Sequence, residues 1–242
     1  MGSGTQPTKK RFIIDSMAER PIFLPSPGEP PLVEKVNLKF QWHPGFAKSQ
    51  AQKSIASLHE AAARVGIDSI LEVSTKSLDR LGVALSAFNL ELTVEGREMS
   101  VECAFQGSKV FESGGPYTDL YSVSSKKAKK DDRLRSSGNL VAFNFLGSNF
   151  PTFPLTAFYD WLYIGALRQN PGLADRVLDF QGFSDITFNP KRSINCQAHS
   201  AALFVALQQE QMLESAMRDM DAFVGAPTGR DKRDPSATGD AS

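Results

Sequence analysis

Three polar side chains within residues 99–111 have the types and spacing that catalysis needs. Glu102, Gln106 and Lys109 stand at positions i, i+4 and i+7, so a helix would carry them on one stripe. A carboxylate can accept and return protons, and a deprotonated lysine amine can act as a nucleophile. The same spacing is also typical of an ordinary solvated ion pair on a helix surface, so the pattern alone leaves both interpretations open.

The apolar residues around this stripe predict that it borders a buried face. Val101, Ala104, Phe105 and Phe111 fall to one side of it if residues 99–111 form one helix. Burial and neighbouring charges at such a border shift pKa values. A nucleophilic role for Lys109 requires a pKa lowered in this way, because an ordinary lysine is protonated at neutral pH.

Composition and charge limit the class of protein. The chain has 242 residues, of which 41% are hydrophobic, enough to bury the core of one larger domain. Its 27 basic and 27 acidic residues give a net charge of zero, so a nucleic acid must be bound by a local patch. No apolar run reaches the length of a membrane span and no secretory segment is visible, which predicts a cytoplasmic protein with no membrane partner.

The two cysteines, Cys103 and Cys196, are far apart and lack the spacing of a zinc site. They predict reduced core thiols and no bound metal. By composition, residues 1–16 are a leader, 17–225 the domain and 226–242 a disordered tail.

The elements that must position the stripe predict an α+β domain that is predominantly helical. Alternating or short apolar runs predict a small sheet of four strands, at residues 36–42, 69–75, 90–94 and 185–188. Helical spacing predicts helices over 49–65 and 196–207, the latter with a continuation to Phe223, and a strongly apolar helix beginning at Pro154. These segments form too few βα units for a doubly wound sheet.

Two further segments supply polar groups. Asp160 lies between Tyr159 and Trp161 in the apolar helix, so we expect it to be buried and bonded to a cationic or amide side chain, either as a structural partner or as a site carboxylate. The basic residues 122–137 predict a surface loop, with a phosphate-binding patch as the alternative.

Several segments together resemble one family. The stretches VECAFQGSK, LSAFN and DITFNPKRSIN are similar to motifs of the NADAR family, whose YbiA-like members carry an E-x-x-x-Q-x-x-K helix. MAERPIF, KSIASLHEAA, FQGSKVFESGGPYTDL, FYDWLY and SINCQA resemble the NADAR antitoxins encoded beside DarT-type toxins, over about residues 17–210. Phe188 and the segment 196–198 depart from the wider YbiA-like pattern, in which a Trp often occurs at the first position and a Leu-Gly pair at the second.

The resemblance implies an activity and its participants. The expected reaction is hydrolysis of the N-glycosidic bond between ADP-ribose and the amino group of guanine, in single-stranded DNA, without a cofactor. ADP-ribose would be the product, and a cognate DarT-type guanine ADP-ribosyltransferase toxin a partner. Two alternatives remain: an N-glycosidase acting on a free ribosylated nucleotide, and a non-catalytic antitoxin that binds ADP-ribose or the toxin.

The resemblance also suggests roles for individual residues. Lys109 would add to the ring-opened ribose as an imine while Glu102 transfers protons, with Lys76 as the rival nucleophile. Substrate-binding roles would fall to Gln106, Phe88, Asn89, Asp160, Asp185, Phe188 and Asn195.

Overall fold

A computed structural model gives the structure of residues 16–28, 30–190 and 193–226. The predicted leader, apart from Ser16, and the predicted tail beyond Ala226 lie outside these described residues. Helices and strands are mixed along the chain. An α+β architecture is therefore confirmed, but a predominantly helical domain is not, because several short strands alternate with the helices. No helix in the described ranges has the length and apolarity needed to cross a membrane.

The strands are, in chain order, β1 (Met17–Pro25), β2 (Val33–Gln41), β3 (Ile70–Glu72), β4 (Glu91–Val94), β5 (Arg97–Ser100), β6 (Lys109–Phe111), β7 (Leu140–Phe145), β8 (Ser148–Phe150) and β9 (Gly182–Ser184). The helices are α1 (Lys48–Ala63), α2 (Arg80–Ala84), α3 (Val101–Gly107), α4 (Ser125–Lys130), α5 (Arg133–Ser136), α6 (Ala157–Arg168), α7 (Pro171–Val177), α8 (Gln197–Gln209), α9 (Leu213–Ala216) and α10 (Met220–Gly225). A 3₁₀ helix, Thr118–Ser122, lies between β6 and α4.

The largest sheet has the strand order β2-β1-β9-β3. β1 is antiparallel to β2 and β9, and β9 is parallel to β3. The strand predicted at 185–188 is wrong, because the strand ends at Ser184. Asp185 instead begins a turn in which its carboxylate accepts the Thr187 N–H at 2.9 Å, a local bond that competes with strand pairing.

The prediction of a single sheet is also wrong, since the residues described by the structure form three separate sheets. β4 pairs with β5 as a hairpin, and β6, β7 and β8 make a third sheet. The β4–β5 turn contains Glu95 and Gly96 with φ values of 52° and 74°, a left-handed turn suited to a tight hairpin. Residues 90–94 therefore form a strand as predicted, but outside the sheet that contains β2 and β3.

Helix α3 is shorter than the predicted helix over 99–111. Its first turn is capped by the Ser100 hydroxyl, which accepts the Cys103 N–H at 3.2 Å. A Cβ atom at Gly107 would overlap the ring of Tyr121, so glycine permits the close packing of this end. Residue 109 then pairs with Phe143 in the β6–β7 ladder, which places Lys109 on a strand rather than on the helix of Glu102.

The basic segment 122–137 contains helices α4 and α5, so the predicted surface loop is wrong. The Ser124 hydroxyl accepts the Lys127 N–H at 3.4 Å at the start of α4. Ala128 is fully buried where α4 packs against α3. This packing brings the lysines of α4 to the side of the domain that carries Glu102.

Helices α6 and α8 pack against each other through the core, as the apolar pattern of the Pro154 segment predicts. Phe158 lies within an aromatic cluster, with its ring centre 4.5 Å from that of Phe143 and 4.9 Å from that of Phe150. The predicted helix over 49–65 is also confirmed as α1. Cys103 and Cys196 are buried and unbridged.

Candidate active site

A cavity of about 510 Å³ opens beside α3 and is referred to as the Glu102 cavity. Its wall contains five of the residues that the sequence nominated, namely Phe88, Glu102, Asp185, Phe188 and Asn195. A cavity of similar size, about 520 Å³, lies near Trp161, but two of its three ionisable residues, Arg168 and Glu214, bind each other. The convergence of polar groups therefore favours the Glu102 cavity as the functional site.

The Glu102 carboxylate is held in a fixed position although it is only 4% exposed. Its Oε1 accepts a hydrogen bond from Gln106 Nε2 at 2.8 Å, one helical turn away on α3. Its Oε2 lies 3.7 Å from the Nζ of Lys129. The amide and ammonium groups orient a buried carboxylate that faces the cavity, an arrangement suited to proton transfer.

Lys109 lies next to this carboxylate, at the first position of β6. Its Nζ lies 4.6 Å from the centre of the Phe105 ring. Burial lowers the pKa of Lys109 to about 8, while the Glu102 charge acts to raise it and the Lys129 charge to lower it further. About one amine in ten is then uncharged at pH 7, against roughly one in several thousand for an ordinary lysine. Lys109 itself is not among the residues that line the Glu102 cavity.

Lys129 is a member of the cavity wall that the sequence did not nominate as a site residue. Besides Glu102, it contacts Phe88, with Nζ 5.0 Å from the ring centre. Its side chain remains 57% exposed, so the ammonium group is available to a ligand. The available signal was the basic segment 122–137, and only its folding into α4 shows which lysine faces the cavity.

Asp185 forms the opposite wall. Its Oδ1 accepts hydrogen bonds from the N–H and hydroxyl of Thr187, and its Oδ2 accepts one from Gln197 Nε2 at 3.0 Å. Burial raises the pKa of Asp185. Because these oxygens already have protein donors, Asp185 shapes the wall and holds Gln197, whose Oε1 accepts the Ala87 N–H at 2.8 Å.

A comparison with protein families gives a match that covers the whole of this site. A model of the DarT1-associated NADAR antitoxins matches residues 18–236, which include every residue of the cavity wall. The chain belongs to this NADAR family. The match confirms the resemblance seen in the sequence segments. Comparison with curated proteins finds no match.

A buried carboxylate that lies beneath the Glu102 cavity was not identified from the sequence. Glu72 on β3 is 2% exposed and accepts hydrogen bonds from Ser74 Oγ at 2.6 Å and Ser184 Oγ at 2.5 Å. Ser184 Oγ also lies 2.9 Å from Nε2 of His59, which is therefore a packed histidine. Burial and the neighbouring Asp185 raise the pKa of Glu72. No sequence pattern singled out Glu72, because a carboxylate between Leu71 and Val73 in an alternating strand looks solvent-facing.

Two amide oxygens are left without a hydrogen-bond donor among the described residues. They are Oδ1 of Asn195, in the cavity wall, and Oε1 of Gln106, whose Nε2 holds Glu102. Both oxygens are buried, and a buried acceptor without a donor is costly. A hydroxyl or N–H group of a ligand in the Glu102 cavity would donate the missing hydrogen bond to the Asn195 oxygen.

Three nominated residues of this NADAR domain lie away from the Glu102 cavity. The exposed Asn89 donates from Nδ2 to the Val83 carbonyl at 2.8 Å, which fixes a turn. Asp160 is 1% exposed, as predicted, and its Oδ1 accepts from Ser200 Oγ at 2.6 Å and lies 3.3 Å from His199 Nδ1. Lys76 lines an adjoining cavity. Their proposed roles in binding or catalysis stay predictions.

The Glu102 cavity brings together side chains of the types that acid–base and amine chemistry require. Among the residues described by the structure, no group of three or more His, Cys, Asp or Glu side chains is placed to hold a metal ion. The groups that converge are instead a buried carboxylate, a lysine with a lowered pKa and a second, cavity-facing lysine.

Proposed function

We propose that this antitoxin is an ADP-ribosylguanine glycohydrolase that removes ADP-ribose from guanine bases in DNA. The observation that carries the proposal is the buried Glu102 carboxylate beside Lys109, whose pKa is lowered to about 8. These two groups supply the proton transfer and the nucleophile that cleavage of an N-glycosidic bond through an imine requires. The size of the Glu102 cavity is within the range of about 300–1,000 Å³ common for small-molecule sites.

The reaction begins when the bond between the ribose anomeric carbon and its ring oxygen breaks. The ammonium group of Lys109 gives a proton to Glu102, which passes it to the ring oxygen and leaves Lys109 as a neutral amine. The guanine amino nitrogen shares its lone pair to form an iminium. The neutral amine of Lys109 then bonds to the anomeric carbon. A proton moves from the lysine nitrogen to the guanine nitrogen through Glu102. The bond between the anomeric carbon and this guanine nitrogen then breaks, which restores the amino group of guanine in the DNA.

The second half of the reaction releases the sugar. The departure of guanine leaves an imine between the lysine nitrogen and the anomeric carbon. Water adds to this carbon and gives up a proton to Glu102. Glu102 passes this proton to the lysine nitrogen, the carbon–nitrogen bond breaks, and the new hydroxyl loses its proton to become the aldehyde oxygen. ADP-ribose leaves as an aldehyde that closes again to its ring form, and Lys109 returns as the free amine.

The surrounding residues support these steps. Gln106 holds the carboxylate of Glu102 from one side, and Lys129 provides a positive charge 3.7 Å away on the other. The Lys129 charge also opposes protonation of Lys109. We assign to the exposed ammonium group of Lys129 a contact with the pyrophosphate of ADP-ribose, because a flexible cation at the cavity wall suits a phosphate.

The family description supports the biological setting. The matching family consists of antitoxins associated with DarT1, so we propose that the chain reverses the modification made by a cognate DarT1 toxin. An enzyme that repairs the toxin's product protects DNA without having to match the amount of toxin.

The deciding experiment incubates the protein with a single-stranded oligonucleotide that carries one ADP-ribosylated guanine, followed by mass spectrometry of both products. We expect free ADP-ribose and unmodified guanine, with many turnovers per protein molecule. Release limited to one equivalent, or protection without release, would support the binding-only antitoxin. Hydrolysis of a free ribosylated nucleotide with no hydrolysis of the oligonucleotide would support the alternative N-glycosidase.

Borohydride trapping identifies the nucleophile. Reduction of the imine during turnover leaves an ADP-ribose-derived mass on one lysine, which we expect to be Lys109. If the trapped mass is found on Lys129 or Lys76, the imine mechanism is supported but that lysine, not Lys109, is the nucleophile. No trapped mass, together with normal turnover by Lys109→Met, would favour direct displacement by water.

A further inference from the structure

A second cavity, of about 510 Å³, adjoins the Glu102 cavity. Both cavities share Thr187 and Ser193 in their walls, and this second one is referred to as the Trp42 cavity. It begins at the edge of the Glu102 cavity that does not contain Lys129, and no role in the reaction has been assigned to it. A substrate longer than the Glu102 cavity can continue into it across these two residues.

The Trp42 cavity presents aromatic faces to solvent. The side chain of Phe46 is fully exposed, at 107% of its reference area, although burial of such a ring would be favourable. Trp42 is half-buried, and the guanidinium carbon of Arg20 lies 5.5 Å from the centre of its ring. Exposed rings combined with a guanidinium plane are the features on which unpaired bases stack in single-stranded nucleic-acid sites.

The same cavity contains two cations that form no ion pair within 4 Å in the described ranges, although the Asp185 charge acts to raise the pKa of Arg20. Arg20 and Lys76 both line it, and neither forms an ion pair there. The Nε atom of Arg20 is buried without a hydrogen-bond acceptor among the described residues. Two unpaired cations next to aromatic rings form the kind of local patch that a chain of zero net charge needs for binding a phosphate backbone.

We propose that the Trp42 cavity binds the nucleotide that neighbours the modified guanine in single-stranded DNA, with its base against Phe46 or Trp42 and its phosphate near Arg20 and Lys76. This inference rests on the proposed glycohydrolase function. The cation beside the reacting ribose, Lys129, lies at the Glu102 end and serves the pyrophosphate of ADP-ribose. The edge at Thr187 and Ser193 is then left for the nucleic-acid strand. A base must be unstacked to reach these rings, which excludes a paired duplex as the bound form.

The test compares two substrates, a single-stranded oligonucleotide with one ADP-ribosylated guanine and the corresponding ADP-ribosylated guanosine monomer. Phe46→Ala should raise KM for the oligonucleotide about tenfold, since it removes one stacked base. The KM for the monomer and the inhibition constant of free ADP-ribose should stay within twofold. Val141→Ala, which shortens a 51%-exposed side chain on β7, is the matched control.

Salt dependence tests the phosphate contact separately. For the oligonucleotide, Arg20→Gln should lower the slope of log KM against log salt by about 0.7, the change expected for one lost contact to a single strand. Arg176→Gln, on the exposed face of α7, is the control and should leave the slope unchanged.

The outcomes separate the two proposals. If the wild-type protein hydrolyses neither substrate, the glycohydrolase function fails and this inference fails with it. If wild-type turnover is normal but Phe46→Ala and Arg20→Gln leave the oligonucleotide KM unchanged, only the Trp42 assignment is wrong. A rise in the ADP-ribose inhibition constant that equals the rise in KM would show that the cavity holds the adenosine end of ADP-ribose instead.

Discussion

Replacing Lys109 by methionine removes an amine that the fold buries at a cost and keeps an unbranched side chain of similar length. Burial lowers the pKa of this amine from 10.5 to about 8. The folded chain therefore binds fewer protons than the unfolded chain between about pH 8 and 10.5. The contribution of this amine to the free energy of unfolding of the wild-type protein therefore rises with pH in this window. Below about pH 8, the burial of the charged Lys109 amine destabilises the folded protein by its full amount.

The size of the effect follows from the shift. Each pKa unit corresponds to about 1.4 kcal/mol, so the charged amine lowers the free energy of unfolding by about 3 kcal/mol at neutral pH. Lys109→Met lacks this cost. We expect the difference in stability between the variant and the wild type to shrink by about 3 kcal/mol as the pH rises from about 8 to 10.5.

Urea denaturation at half-unit pH intervals measures this difference, and the pH dependence is informative even if methionine packs differently against Phe105. Lys126→Met is the control, because the Lys126 side chain is exposed on α4 and its amine has no burial cost to relieve. Parallel curves for the wild type and Lys109→Met across the window would show that the amine is solvated and would remove the basis for its nucleophilic role.

Three further predictions concern other parts of the molecule. Glu102→Gln should slow turnover by about 10²-fold with an unchanged circular dichroism spectrum, and a loss below threefold would exclude an acid–base role. Because burial raises the pKa of Glu72 to about 7, the wild type should lose stability as the pH rises from about 4.5 to 7, and Glu72→Gln should flatten this part of the curve; an unchanged slope would contradict it. Phe158→Ala should lower the free energy of unfolding by about 3–5 kcal/mol in urea titrations, whereas Leu155→Ala, at a 45%-exposed side chain, should change it by less than about 0.5 kcal/mol.

The elements that the sequence predicted well are those whose pattern is local and long. Helices α1 and α6 span 16 and 12 residues, so their apolar spacing is visible without knowledge of their partners. Strand β1 was not predicted, because Pro21 interrupts the strand pattern of its sequence. The segment forms a strand because it pairs with β2 along its whole length. Strand β6 has three residues and is defined by its pairing with β7, which begins at Leu140, far along the chain.

The sequence predicted the types of side chain in the candidate site more accurately than the elements that carry them. Glu102 and Gln106 do share one helix, with the i, i+4 hydrogen bond that their spacing implies. Lys109 lies within the influence of the Glu102 charge from a strand instead of from the helix, which the spacing of a single helix could not have shown. Tertiary packing brings Lys129 into the cavity wall, through α4 against α3, and places Glu72 beside the wall residue Ser74, through the pairing of β3 in its sheet. No local pattern encodes this packing.

The division of the two reacting groups between α3 and β6 has a consequence for transplanting the site. Side chains alternate between the faces of a strand, so one residue inserted at Ser108 would turn the amine to the opposite face of the β6–β7 ladder. A helix with the same E-x-x-x-Q-x-x-K spacing, grafted onto another scaffold, would carry the carboxylate and its amide partner but would place the amine along the helix instead. The transferable unit is therefore α3 together with β6, β7 and the segment that connects these two strands, about 45 residues in place of eight.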